Sequence, residues 1–231
     1  MVDRGAKRTD IISIFVPANE IAEEISRSLD ILETNLIDVP ERQRSIRAVF
    51  ESSWRLLSAS EQTALKRLCV FRGSFSREAA QHVSGASLRM LLGLVEKSWL
   101  QQREGGRFQL HELLRQYGVG QLQMEMDEWQ AAHERHAAFF TSFTSEQNLR
   151  MRGNQQLAGK QAFEEELNAN IKAAWDWLVS LRCWSEILDP FAIGLIQVGL
   201  LREQMTEMIP WLRDTRLILA SEPETCCSLA F

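Results

Sequence analysis

The stretch Arg-Phe-Gln-Leu-His-Glu-Leu-Leu-Arg-Gln-Tyr, residues 107–117, decides how this chain is read. Phe108 and Leu110 alternate with Arg107 and Gln109, the period of a short strand with one face buried. At His111-Glu112 the apolar spacing becomes helical. One histidine therefore stands at a strand-to-helix junction, where its side chain and the unpaired N–H groups of a first helical turn can face the same ligand.

Working outward, Glu104-Gly105-Gly106 separates residues 100–103 from 107–110, which predicts a β-hairpin. Four helical patterns precede it. Residues 41–57 place Ile46, Val49, Phe50, Trp54 and Leu57 on one face. Ser58 and Glu61 form a capping box that opens a second helix carrying Ala64, Leu65, Leu68 and Cys69. Ser76 caps a short third helix. Ser87 caps a strongly apolar fourth, with Leu88, Leu91, Leu92, Val95 and Trp99. Four helices, a hairpin and a helix over residues 42–125 follow the order of a winged-helix module, with the hairpin as the wing.

Further along, Gly118 and Gly120 each cost a helix interior ~1 kcal/mol against alanine, so a frayed or bent stretch is expected there. Helical patterns then cover residues 136–143, 162–181, 184–201 and 203–220, as paired helices of an α-solenoid do. The seven tryptophans read mainly as packing between such helices. At the other end, Ile21, Ile25, Leu29, Leu32 and Leu36 mark a helix over 20–37 that Pro40 terminates. The fold class expected is mainly α: a winged-helix module with one short β-hairpin, followed by a helical array. The divisions expected are residues 1–40, 41–127 and 128–231.

Composition adds boundaries. The 231 residues are 45% hydrophobic and 25% charged, ordinary for a globular protein. No apolar run reaches the ~18 residues of a membrane span, and the N-terminus lacks the apolar core of a signal peptide. Cys69, Cys183, Cys226 and Cys227 contain no C-x-x-C pair, which fits a reducing cytoplasm. The net charge of −5 is unevenly spread: residues 1–41 carry −5, 42–115 carry +7 and 116–231 carry −7.

The basic middle raises direct DNA binding. Yet the recognition-helix position, residues 87–100, holds only Arg89 and Lys97 as cations, where base reading needs polar side chains. That weighs against direct DNA binding and for a partner-facing surface around Arg42, Arg44, Arg47, Arg55, Lys66 and Arg67. Other chemistry is sparse. His111-Glu112-Leu113-Leu114-Arg115 lacks the second histidine of H-E-x-x-H. His133 and His136 share a helix face but read as solvated rather than as metal ligands. There is no phosphate loop, no G-x-G-x-x-G and no nucleophile elbow, so no catalysis is expected of this chain.

Glu41-Arg42-Gln43-Arg44-Ser45-Ile46-Arg47-Ala48-Val49-Phe50, Ser53-Trp54-Arg55-Leu56-Leu57-Ser58, Phe71-Arg72-Gly73-Ser74-Phe75 and residues 110–117 together resemble the winged-helix segment of bacterial STAND-class ATPases with an NB-ARC-type motor. Residues 130–220 more loosely resemble the tetratricopeptide-type sensor region that follows it. The resemblance implies a signalling or transcriptional regulator whose winged helix closes over ADP held by an upstream ATPase domain and is released by ATP. Leu110, His111 and Glu112 match the family's M-H-D motif, whose histidine contacts the ADP phosphates, so His111 is the implied phosphate sensor. A protein or small-molecule inducer at the helical repeats is implied as a further partner. The motor's phosphate loop is not in the sequence, so the chain is expected to be a fragment of a slow ATPase switch.

Overall fold

The computed structural model describes residues 41–181 and, beyond them, positions 191, 195, 196, 211 and 213, all five helical. The helix expected over 20–37, the remainder of those over 184–201 and 203–220, and Cys183, Cys226 and Cys227 lie outside the described residues. The chain falls into two compact units, Met1–Ser52 and Ser53–Phe231. Residues 41–52 of helix α1 (Glu41–Arg55) are the described part of the first, where the Ser52 hydroxyl donates to the Ala48 carbonyl at 2.9 Å; Ser53, Trp54 and Arg55 belong to the second.

The first helix lying wholly in the second unit is α2 (Ala59–Leu68), whose start is fixed as its sequence requires. Glu61 N–H donates to Ser58 Oγ at 3.3 Å, and Ser58 N–H donates to Glu61 Oε2 at 2.8 Å. Then follow β1 (Ser74–Phe75), α3 (Arg77–Ser84), α4 (Leu88–Glu96), β2 (Leu100–Gln102) and β3 (Phe108–Leu110). Ser76 and Ser87 cap α3 and α4, accepting from Ala79 N–H at 3.1 Å and Met90 N–H at 3.3 Å. The order and pairing are those of a winged helix.

The sheet has three strands in the order β1-β3-β2, both pairs antiparallel. The hairpin is as expected, with Leu100 opposite Leu110 and Gln102 opposite Phe108. Its turn sets Gly105 and Gly106 at φ of 69° and 73°, left-handed backbone that glycine enters without a Cβ penalty. The strand missed by sequence reading is β1, which pairs Ser74 with Gln109 and Phe75 with Phe108. Two residues are too few to show an alternation. Its cause is tertiary: Phe75 is fully buried, stacked on Phe71 at 4.4 Å and on Phe108 at 6.5 Å.

Helix α5 (Glu112–Gln123) leaves β3 and runs unbroken through both glycines. The fraying expected at Gly118 does not occur, because that glycine is a contact point. It is buried, and a Cβ there would overlap the Cys69 Sγ at the end of α2. Helix propensity is overridden by close packing of two helices. Then come α6 (Met126–Arg152), at 27 residues the longest described element, α7 (Gln156–Glu166), a π turn (Leu167–Ile171) and α8 (Lys172–Leu181). We call α6 to α8 the arm. Aromatic packing ties module to arm: Phe71 meets His136 at 5.1 Å and Phe140 at 6.3 Å, both edge-on. Of the tryptophans, Trp54 packs edge-on to Trp99 and Tyr117, each at 5.7 Å, and Trp175 is buried in the arm.

Gly118→Ala should therefore lower stability by about 1–3 kcal/mol, the usual cost of overpacking, despite alanine's better helix propensity. Chemical denaturation of Gly118→Ala, Cys69→Ala and the double variant checks it. Removing the Cys69 sulfur should recover part of the loss, and strictly additive effects would contradict the contact.

Candidate functional site

His111 is solvent-exposed at the N-cap of α5. Its Nδ1 accepts from Leu113 N–H at 3.3 Å. A ring nitrogen that accepts carries no proton, so in the neutral imidazole the hydrogen resides on Nε2. The ring thus presents a donor outward from a helix N-terminus. The neighbouring Glu112 does not orient it. Its Oε1 and Oε2 accept from Arg115 at 2.7 and 2.8 Å, and Oε1 also accepts from Gln116 at 3.0 Å. Burial pushes the Glu112 carboxyl up, but the Arg115 fork more than offsets this and holds it below the usual carboxylate range.

The second candidate surface is the recognition-helix position, α4. Its outward residues are Leu88, Arg89, Leu92 and Glu96, and Lys97 beyond its end is held by Glu61 at 2.7 Å. Two of the cations assigned by sequence to a partner-facing surface are used internally. Lys66 pairs with Glu125 at 2.8 Å and Arg67 with Glu128 at 2.6 Å. They fasten α2 to the start of α6, an assignment the one-dimensional charge pattern could not make. Arg135 of α6 adds a tie to α3, donating to the Val83 carbonyl at 2.9 Å, and pairs with Glu128 of its own helix at 2.9 Å.

A polar joint missed by sequence reading sits where the wing meets the arm. Arg107, read there only as the polar half of a strand, donates through Nε and Nη2 to Ser74 Oγ and O, both at 2.9 Å, and through Nη2 to Glu166 Oε1 at 2.5 Å. Asn170, inside the π turn, completes it. Its Nδ2 donates to Glu166 Oε2 at 2.7 Å and to the Ser74 carbonyl at 2.9 Å, while its Oδ1 accepts from Arg72 N–H at 2.8 Å. Glu166 and Asn170 are buried. Burial pushes the Glu166 carboxyl up, opposed by Asn170 and Arg107.

Beside this joint lies a cleft of about 700 Å³ between module and arm. The module contributes Cys69, Arg72 and Arg115; the arm contributes Trp129, His133, His136, Lys172, Asp176 and Trp177. The Cys69 thiol, pushed up to about 12 by burial, is not a nucleophile. His133 and His136 are not solvated, contrary to the expectation from spacing. His136 is 2% exposed and packs on Phe71 and Phe140. His133 bonds the Trp129 carbonyl through Nδ1 at 2.9 Å and lies between Trp129 and Trp177, at 4.2 and 5.8 Å. Helical periodicity around them is blurred because α6 is covered on several sides. Burial lowers both histidines, His136 to about 3, with mutual repulsion adding to its shift. Among the described residues no cluster of three or more His, Cys, Asp or Glu could hold a metal ion. No described helix is long and apolar enough to cross a membrane.

The class of protein these elements define is a winged-helix module docked on a helical arm. Comparison with known proteins gives three relatives, provisionally named HTH-type transcriptional regulators, two in strains of Mycobacterium tuberculosis and one in Mycobacterium bovis. Each is 28% identical to the chain over 169 residues, which is 68% of this chain and 19% of the relative. The chain thus spans about a fifth of the length of the curated relatives it matches. No family model matches, and no solved structure gives a significant match.

The buried histidines set an acid limit on stability. A histidine whose folded pKa is depressed favours folding above its unfolded value of ~6.5, and that stability is lost as pH falls, because the unfolded chain takes up the proton first. His136→Phe keeps the ring packing and removes one titration. Between pH 7 and pH 5 its stability in urea should fall by roughly 2 kcal/mol less than that of the parent chain; an equal fall would contradict the burial of a neutral His136.

Proposed function

We propose that this chain is the regulatory portion of a longer, cytoplasmic transcriptional regulator of the STAND type. In this reading the winged helix closes on ADP held by an upstream NB-ARC-type ATPase domain. The arm, the start of a tetratricopeptide-like array, receives a protein or small-molecule inducer. The chain is not itself an enzyme; nucleotide turnover belongs to the motor. The observation that carries the reading is the hydrogen bond that His111 Nδ1 accepts from Leu113 N–H at 3.3 Å, at the head of α5. With Nδ1 so committed, a neutral ring offers an outward Nε2–H to a phosphate oxygen. That contact adds to the favourable field of a helix N-terminus. The similarity to transcriptional regulators supports the regulatory part of the reading.

DNA binding by the module is the second reading, and the helix-turn-helix names of the relatives favour it. Against it stands the outward face of α4, where Leu88 and Leu92 are 41% and 40% exposed beside Arg89 and Glu96. Two leucines and a carboxylate suit a protein surface better than a phosphate backbone.

Two measurements separate the readings. In the longer protein carrying the motor, His111→Ala should speed ADP release roughly tenfold, the loss of one hydrogen bond to a charged group, and raise basal transcription. Unchanged ADP release would remove His111 from the nucleotide site. The chain alone should bind duplex DNA no more tightly than the non-specific range of about 10⁻⁴–10⁻⁶ M. Nanomolar affinity that falls steeply with salt and is lost in Arg89→Ala would establish the DNA reading instead.

A further inference from the structure

We infer that the cleft between module and arm binds a small organic monoanion with a flat aromatic body, an aromatic carboxylate, its charge on Arg72 and its ring against Trp129 and Trp177. Three observations carry this. The first is size and composition: about 700 Å³ lies within the range of small-molecule sites, which are mostly apolar with a few placed polar groups.

The second is a count of charge. The cleft is lined by three cations and one carboxylate. Arg115 is spent on Glu112, two oxygens to two nitrogens. Lys172 is spent on Asp176. Arg72 is left. Only its backbone N–H is engaged, on Asn170, and among the described residues no carboxylate forms an ion pair with its guanidinium. Partial covering of the guanidinium and repulsion from Arg115 lower its pKa, while Glu112 and Asp176 act in the opposite sense without pairing with it; the residue as a whole is exposed, and an arginine stays cationic at neutral pH. A planar guanidinium with no partner matches a planar carboxylate, which it can grip through two parallel hydrogen bonds. A phosphate dianion fits less well, since Asp176 lines the same cleft.

The third is the wall. Trp129, His133 and Trp177 follow one another at centroid separations of 4.2 and 5.8 Å. All three border the cleft, and the His133 ring is kept neutral by burial. Aromatic edges and faces of this kind take a flat ring with more energy than area alone gives.

In the proposed function such a ligand is the inducer of the arm, and that role rests on the regulator reading; the binding itself does not. The probes are 2-naphthoate and its uncharged isostere 2-naphthamide, titrated calorimetrically into the full 231-residue chain. The expected result is saturable one-to-one binding of 2-naphthoate, at least tenfold tighter than of the amide. Arg72→Gln should bring the two affinities together. Trp177→Leu should weaken both alike. The Arg72 guanidinium makes no internal hydrogen bond among the described residues, so Arg72→Gln should melt like the parent chain. If it does not, the two probes on the unaltered chain decide alone. No saturable binding of 2-naphthoate, equal affinities for acid and amide, or discrimination that survives Arg72→Gln in a folded chain each overturns the proposal. None of those results touches His111, and unchanged ADP release in His111→Ala would leave the cleft standing.

Discussion

A buried charge needs partners, and the Arg107–Glu166–Asn170 joint is where this structure meets that demand. Glu166 is almost wholly covered, and stripping water from a carboxylate costs several kcal/mol. The guanidinium of Arg107 and the amide of Asn170 replace the lost water, and Ser74 and the Arg72 backbone take up the remaining donors and acceptor. Such a cluster stabilises little beyond what an apolar patch of the same volume would. Its contribution is geometric: a wrong docking angle would leave a buried charge unpaired, whereas an apolar patch tolerates a shift. The hydrophobic contacts of Phe71 with His136 and Phe140 supply attraction; the polar joint supplies register.

The π turn follows from the same constraint. One extra residue per turn over Leu167–Ile171 changes which residues of the α7–α8 segment face the wing. Glu166 and Asn170 both reach Ser74's neighbourhood, while Lys172 and Asp176 come round to the cleft. Irregular turns of this kind recur at functional sites because they re-aim side chains without ending the helix.

How much of this was legible in the sequence divides along the range of the forces involved. The wing hairpin, the serine caps and the capping box were legible because each is set by residues two to four positions apart. Strand β1 was not, since its partner Gln109 is far along the chain and its own two residues have no period. Gly118 was misread as a weak point because propensity is local and the Cys69 contact is not. The same holds for Lys66 and Arg67, whose partners lie about sixty residues on, and for Arg107, whose strand role was plain and whose ion pair was not. His111 was singled out by its position at a strand-to-helix junction, and the structure adds that its Nδ1 accepts from Leu113 N–H. Arg72 was quoted within a motif and given no chemistry, because its significance is that no carboxylate among the described residues pairs with its guanidinium, which no pattern of spacing reveals.

The two candidate sites are connected by α5. His111 caps its first turn, and Arg115 and Val119 line the cleft one and two turns on; at 1.5 Å per residue the span is only about 12 Å. At Gly118, α5 lies so close to Cys69 at the end of α2 that no side chain fits between them, which packs α5 against the module. A ligand seated between Arg72 on the module and Trp177 on the arm would favour the docked arrangement of the two, the one that the Arg107–Glu166–Asn170 joint also favours. A ligand can shift such an equilibrium only by its difference in affinity for the two arrangements. A cleft whose unpaired cation comes from one side and whose aromatic wall comes from the other would have that difference built in, because neither half alone completes the site.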